Sequence, residues 1–288
     1  MKRWIKIALI GAAGLAALIL AGLVILQTGW FRDRVRDRII AELEAATGGR
    51  VEMEAFDFDW RGLTAEMRGL VIRGTEAAGE APLFRGRVVR VGLKVVSILR
   101  RQFDLQSLEV DTPQTHLIVY PDGRTNLPSP KLRAPQNPVE TLLKLAVKRF
   151  RLLNGGLLAG LENLPARLEG EDLRAQVSYE AEGPRYRGEV SLERLNVEAW
   201  RGRTLPLSVE ARWALERNRL EVARLQAACN GSHLEARGTL TEFRAPRAQF
   251  DYVAEVAVRD VAPVPGFAAL RPSGTVKLEG KGTYEASA

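Results

Sequence analysis

Leu173-Arg174-Ala175-Gln176-Val177-Ser178-Tyr179 alternates apolar and polar residues without a break. Successive side chains of a strand point to opposite faces, so this stretch reads as a strand with one apolar and one wetted face. The pattern recurs on both sides of it. Tyr186, Gly188, Val190 and Leu192 alternate with Arg187, Glu189, Ser191 and Glu193, and Leu207, Val209, Ala211, Trp213 and Leu215 alternate with Ser208, Glu210 and Arg212. Val89, Val91, Leu93 and Val95 do the same upstream, and Phe250, Tyr252, Ala254, Val256 and Val258 downstream. Antiparallel sheets tolerate one wet face, whereas doubly covered parallel sheets show continuous apolar runs. Gly183-Pro184, Arg217-Asn218, Asn230-Gly231 and Gly280-Lys281-Gly282 carry turn chemistry between the runs, which predicts a meander of hairpins. In two places the phase slips by one residue, as a bulge would leave it: Val51 and Met53 give way to Phe56, Phe58 and Trp60, and Ala65 and Met67 to Leu70 and Ile72.

Outward from the strands, the amino terminus has a different character. Ile7 to Trp30 contains no charged residue, and Ile7–Leu26 is long enough to cross a bilayer core of ~20 helical residues. Trp4 and Trp30 stand where an aromatic belt would lie. The apolar run exceeds a signal-peptide core and has no Ala-x-Ala after it, so it reads as an uncleaved anchor. Basic residues flank it almost equally, Lys2, Arg3 and Lys6 before and Arg32, Arg34, Arg36 and Arg38 after, so charge alone does not orient it.

Phe31, Val35, Ile39, Leu43 and Ala46, widened by Ile40, form a helical stripe that Gly48-Gly49 ends. Such a helix packs on the following β-structure or lies among lipid headgroups, and the sequence leaves both open. Residues 127–138 are punctuated by Pro128, Pro130, Pro135 and Pro138. Asn137, Pro138 and Glu140 then make a capping box for a helix whose apolar face is Val139, Leu142, Leu143, Ala146, Val147 and Phe150. Arg149–Leu158 shows a return to strand. The expected organisation is an amino-terminal tip and transmembrane anchor (1–30), an amphipathic helix (31–48), a β-unit (49–128), a linker and helix (129–150) and a second β-unit (151–288). The last alternating run ends beside Ala288 without a capping element, so further strands are expected to follow in a longer protein.

Charge and chemistry narrow the function. The chain of 288 residues has a net charge of +7, which taken whole suggests nucleic acid. Residues 1–38 hold seven basic and two acidic residues, leaving +2 for the remaining 250. A near-neutral β-region whose arginines alternate with glutamates lacks the basic face of a nucleic-acid binder. One cysteine excludes a disulfide framework, and two histidines leave little for zinc. No phosphate loop or G-x-S-x-G is present. Cys229, Ser232 and His233 adjoin a hairpin turn, where adjacent residues face opposite ways, and His116 sits on a strand surface. Asp122 and Asn126 have calcium-binding side chains, but Pro121-Asp122-Gly123 is a turn first. No enzyme, cofactor or metal is expected. The apolar face is left as the functional surface, and its periodicity fits a self-closed sandwich or barrel as well as an open lipid-holding groove.

Several segments in order resemble the AsmA-like superfamily, in particular the amino-terminal region of TamB-type proteins. They are the anchor with Trp30-Phe31, then Thr47-Gly48-Gly49-Arg50-Val51-Glu52, then Phe56-Asp57-Phe58-Asp59-Trp60-Arg61-Gly62-Leu63. Pro113–Pro128 is similar to that family's strand ending in an x-D-G-x-x-N-L turn, here Asp122-Gly123-Arg124-Thr125-Asn126-Leu127. Leu152-Leu153-Asn154-Gly155-Gly156 and Leu234–Leu240 resemble its N-G and x-L-x-A-x-G-x-L strand starts. The resemblance implies a mainly β protein in which a transmembrane helix precedes an elongated, curled antiparallel sheet, a β-groove with a few short helices. It also implies a single-pass inner-membrane anchor with its amino terminus in the cytoplasm, the bulk of the chain in the periplasm, and a part in phospholipid transport or outer-membrane biogenesis. An outer-membrane barrel partner would be met through a further carboxy-terminal region. On this reading Leu173, Val177, Tyr179, Val190, Leu192, Val209, Trp213 and Leu215 line the lipid groove. The alternative is a scaffold for outer-membrane proteins that acts by pairing along a sheet edge.

Overall fold

The computed structural model describes residues 28–93, 105–129, 139–140, 143, 146–161, 166–199, 203–243, 245–261 and 273–286. The expected anchor within 1–27 and most of the expected linker and helix within 130–145 lie outside them. Among the described residues no helix is long and apolar enough to cross a membrane.

Helix α1 (Gly29–Thr47) begins at Thr28, whose hydroxyl accepts from the Phe31 N–H at 3.4 Å. It ends where Gly48 turns left-handed at φ 78° and donates its N–H to the Glu44 carbonyl at 2.8 Å. Only a residue without a Cβ adopts that angle at no cost, which is why the glycine pair stops the helix. Thirteen strands follow: β1 (Arg50–Glu52), β2 (Ala55–Asp59), β3 (Thr64–Arg73), β4 (Phe84–Leu93), β5 (Leu105–Val119), β6 (Arg149–Leu161), β7 (Ala166–Glu180), β8 (Arg185–Ala199), β9 (Arg203–Glu216), β10 (Arg219–Cys229), β11 (Ser232–Thr241), β12 (Arg247–Ala257) and β13 (Thr275–Glu285). A helical turn, α2 (Val258–Val261), follows β12. All strands join one curled, unclosed sheet in the order β1-β3-β4-β5-β6-β7-β8-β9-β10-β11-β12-β13, with β2 also on β3. Every ladder is antiparallel except β5–β6, which is parallel. A parallel pair needs a long crossover, and residues 120–148 supply it. The sheet therefore runs unbroken through the stretch that separates the two expected β-units.

Three sequence expectations are corrected. Phe150, assigned to a helix face, lies in β6 opposite Leu108 and Val177. Its apolar side chain serves a strand face as well as a helix stripe, and the pattern around it is too short to separate the two. Gly280-Lys281-Gly282, expected as a turn, lies inside β13. There a Cβ on Gly280 would meet the Tyr252 ring and one on Gly282 the Phe250 ring, so the glycines make room for aromatics rather than for a bend. Val258, the last residue of the expected β12 run, begins α2. The turns at Arg217-Asn218 and Asn230-Gly231 are found where expected, joining Glu216 to Arg219 and Cys229 to Ser232.

The slip from Ala65 and Met67 to Leu70 and Ile72 has a structural cause that spans several strands, whereas the one before Phe56 falls at Met53-Glu54, between β1 and β2. Gly69 (φ 60°), Thr112 (φ 50°), Asn154 (φ 54°) and Asp172 (φ 59°) are left-handed in mid-strand. Met67 pairs with Val89 on one side of Gly69 and Leu70 with Gly86 on the other, with no change of register. Because neighbouring strands each spend an extra residue at the same level, they slip in phase together and the apolar residues return to the same face. Asn and Asp adopt this conformation readily, whereas a β-branched threonine pays about 1–3 kcal/mol. Asp111 holds the row in place. Its carboxylate accepts from the Thr112 hydroxyl (3.0 Å), the Arg87 guanidinium (2.5 Å) and the Asn154 amide (3.4 Å). Partial burial alone would raise its pKa, but these donors outweigh it and hold the carboxyl below the usual range.

Candidate apolar face

Cross-strand register converts the alternation into rows. One row runs Phe58, Ala65, Val91, Leu108, Phe150, Val177, Gly188, Trp213, Val222, Gly238, Phe250, Gly282, from β2 to β13 without a charged member. The adjacent row, from Phe56 and Met67 through Val110, Ala175, Val190 and Leu225 to Tyr252 and Gly280, is equally apolar. At ~4.8 Å between strands each row crosses about 50 Å of sheet.

The eight residues singled out from the sequence fall on this one face. Leu173, Leu192 and Val209 are consecutive in one row, and Tyr179, Tyr186 and Leu215 in another. Val190 lies between Ala175 and Ala211, while Val177 and Trp213 flank Gly188. A Cβ on Gly188 would run into the Trp213 indole, so the ring lies flat across β8 and levels the surface. Tyr186, on the apolar side of its strand but not among the eight, packs tilted against Tyr179 with ring centres 5.1 Å apart and accepts the Val147 N–H through its hydroxyl. Its place opposite Tyr179 across the Gly183-Pro184 turn was the available signal.

Coverage of the face changes along the sheet. At the β1–β5 end Val51, Met53, Phe56, Met67, Leu70, Val89 and Val110 are 4–9% exposed, with Val35, Ile39, Ile40 and Leu43 of α1 packed against them. Packing on the β-structure is thus what α1 does with its apolar stripe. Beyond β6 the helical residues Val139, Glu140 and Leu143 meet one end of the sheet: Leu143 is buried and borders a cleft with Tyr179, Glu140 pairs with Arg217, and Val147 bonds Tyr186. Leu192 is buried, whereas Leu173, Val177, Tyr179, Val190, Val209, Trp213 and Leu215 are only half-buried. At the far edge Val276, Leu278 and Tyr284 are 46%, 48% and 56% exposed.

The opposite face is a lattice of ion pairs. Glu66, Arg90 and Glu109 lie in register, with Arg90 donating to both carboxylates at 3.0 and 2.9 Å. Arg90 first, and then Arg68, hold the Glu66 carboxyl below the usual range. Arg212–Glu189, Arg224–Glu235 and Arg237–Asp251 continue the pattern. Clefts of 460 and 910 Å³ open between these long side chains. They are spaces between paired charges, and the apolar rows form an open surface on the other side.

The polar motifs resolve into structure. Asn126 is 0% exposed; its amide accepts from the Ile118 N–H at 2.9 Å and donates to the His116 carbonyl at 2.7 Å, so it acts as an extra rung on β5. Asp122 accepts from the Arg124 N–H and side chain instead of facing Asn126. Ser232 donates to the buried Asp260 at 2.6 Å, locking α2 onto the β10–β11 turn, and His233 faces Glu255 at 3.7 Å. Burial raises the Cys229 thiol pKa. His116 meets the Ala81 carbonyl through Nδ1. Among the described residues no three His, Cys, Asp or Glu side chains group as metal ligands. Compared with known proteins, the chain matches no protein-family model and no curated protein.

Proposed function

We propose that the chain is a membrane-anchored, non-enzymatic protein that carries phospholipid acyl chains along the apolar face of its sheet. The observation that carries this reading is the unbroken run of apolar rows across β6–β13, many of whose large side chains stay only partly buried among the described residues. Leaving so much apolar surface wet is costly at ~25 cal/mol per Å², and a lipid chain recovers ~0.8 kcal/mol for each CH2 it buries. The 7–26 apolar segment and the ordered resemblance to TamB-type proteins support an inner-membrane anchor, with the sheet in the periplasm and phospholipid as cargo. Photo-crosslinkers at Val177 and Val209 are expected to capture phospholipid, and those at Gln176 and Glu210, which point the other way, are not. Equal labelling at all four would sink the reading.

A second reading has its own observation. β13 has one strand neighbour among the described residues, and its free edge lies beside the exposed Val276, Leu278 and Tyr284. Such an edge can accept a strand of an outer-membrane protein client. That reading predicts protein adducts concentrated along β13 and none at Val177.

A further inference from the structure

We propose that the β2–β3 tip and the first turn of α1 form one membrane-surface contact, with Trp60 and Trp30 at the headgroup level of a lipid bilayer. This rests on the reading of Ile7–Leu26 as a membrane segment.

Chain lengths bring the two tryptophans to one end of the molecule. α1 has nineteen residues and rises about 28 Å away from its start. The Val51 N–H then bonds the Glu44 carboxylate at 3.0 Å, which turns the chain back along the helix. Arg50 to Trp60 covers about 30–35 Å at strand rise, enough to return to the level at which α1 began. The ion pair between Arg32, near the start of α1, and Asp57 of β2 at 3.6 Å fixes that alignment. From this contact Trp30 lies two helical residues, about 3 Å, towards the amino-terminal end. Trp60, the turn residue that follows β2, lies three residues on in the same direction, at most about 10 Å at strand rise. The β2–β3 tip therefore projects past the start of α1, towards whatever the preceding segment enters.

The chemistry of this end suits a lipid surface. Trp30 is 70% exposed and Trp60 42%, both unusual for so large a ring in water. Trp60 is held edge-on against Phe58 at 4.4 Å, so its direction is set by packing. The tip is rigid, because the Asp59 carboxylate accepts the N–H groups of Arg61 (2.9 Å) and Gly62 (3.1 Å). The Arg34 and Arg61 side chains are exposed and pair with no carboxylate among the described residues. An amphipathic indole with a nearby unpaired guanidinium is the usual composition of a bilayer interface, where phosphates are the counter-ions. A contact at two points would set the angle of the sheet above the membrane as well as its attachment.

The test uses the full chain reconstituted in phosphatidylethanolamine–phosphatidylglycerol vesicles that carry lipids brominated near the headgroup. Two single-tryptophan variants, with the other four tryptophans changed to Phe, retain either Trp30 or Trp60. Loss of emission from both on bromination is the expected result. Quenching of Trp30 alone would leave the anchor standing and overturn the contact. Quenching of neither would overturn the anchor reading as well. A Trp60 change that follows protein density instead of bromine would show a second copy on the tip, and would also overturn the proposal. Should a single-tryptophan chain fail to fold, a nitroxide at Arg61→Cys in a Cys229→Ala background reads the same depth. Shielding from a water-soluble relaxation agent supports the contact, and full accessibility contradicts it.

Discussion

The two ends of the sheet share one pattern and differ in what lies over it. From β2 to β5 the apolar rows disappear beneath α1 and become a core. From β7 to β13 the same rows are mostly half-buried, with Tyr186, Gly188, Leu192 and Ala254 buried and the β13 side chains exposed. Strand alternation is identical in both, so the difference lies in what packs on the face, and α1 closes the β1–β5 end into a core. On the proposed reading, the sheet face serves folding at one end and cargo at the other without changing its sequence code.

That contrast has measurable consequences in stability. Leu70→Ala beneath α1 is expected to cost about 2–4 kcal/mol in chemical denaturation, because it leaves a cavity in a packed site. Leu173→Ala on the open face should cost about 1 kcal/mol or less, since its side chain is only partly removed from water. Equal losses would mean that the β7–β13 face is packed after all. Asn126→Ala removes the partners of two backbone groups on β5 at a fully buried site and is expected to cost about 2 kcal/mol, again at the covered end. Smallest is the effect at the left-handed row. Thr112→Gly should lie within about 0.5 kcal/mol of wild type, since relief of a strained φ offsets the hydroxyl bond lost to Asp111. Thr115→Gly, at an ordinary position of the same strand, should cost about 1 kcal/mol. A large loss at Thr112 would show that the row is set by its side chains and not by its backbone.

Acid should act on the charged face. Glu66 and Asp111 have folded-state pKa values held below their unfolded ones. Their contribution is therefore complete above the unfolded values and is lost as pH falls through the depressed ones. Denaturation midpoints should stay flat down to the ordinary carboxylate range and decline below it. Glu66→Gln with Asp111→Asn should flatten that decline.

The rows were legible in the sequence because a period of two survives any choice of pairing partner, so Leu173 to Leu215 could be assigned to one face before any register was known. Gly48 announced the end of α1 for an equally local reason. Partners are not local, and the parallel β5–β6 pair left no mark in the alternation. Asn126 looked like a turn residue because its polarity says nothing about the strand backbone it completes. Gly280 and Gly282 were misleading in the same way, for the tyrosine and phenylalanine that need their space lie one strand away. The slip at Gly69 was visible, but its extension through Thr112, Asn154 and Asp172 required the strands to be laid side by side.

The most direct test compares the two ends in one experiment. Photo-crosslinkers at Val89 and Val110, beneath α1, and at Val177 and Val209, on the open face, are read by mass spectrometry for lipid adducts from intact membranes. Phospholipid attached at Val177 and Val209, with none at Val89 and Val110, is the predicted result. Adducts spread equally over all four positions, or absent from Val177 and Val209, would contradict it.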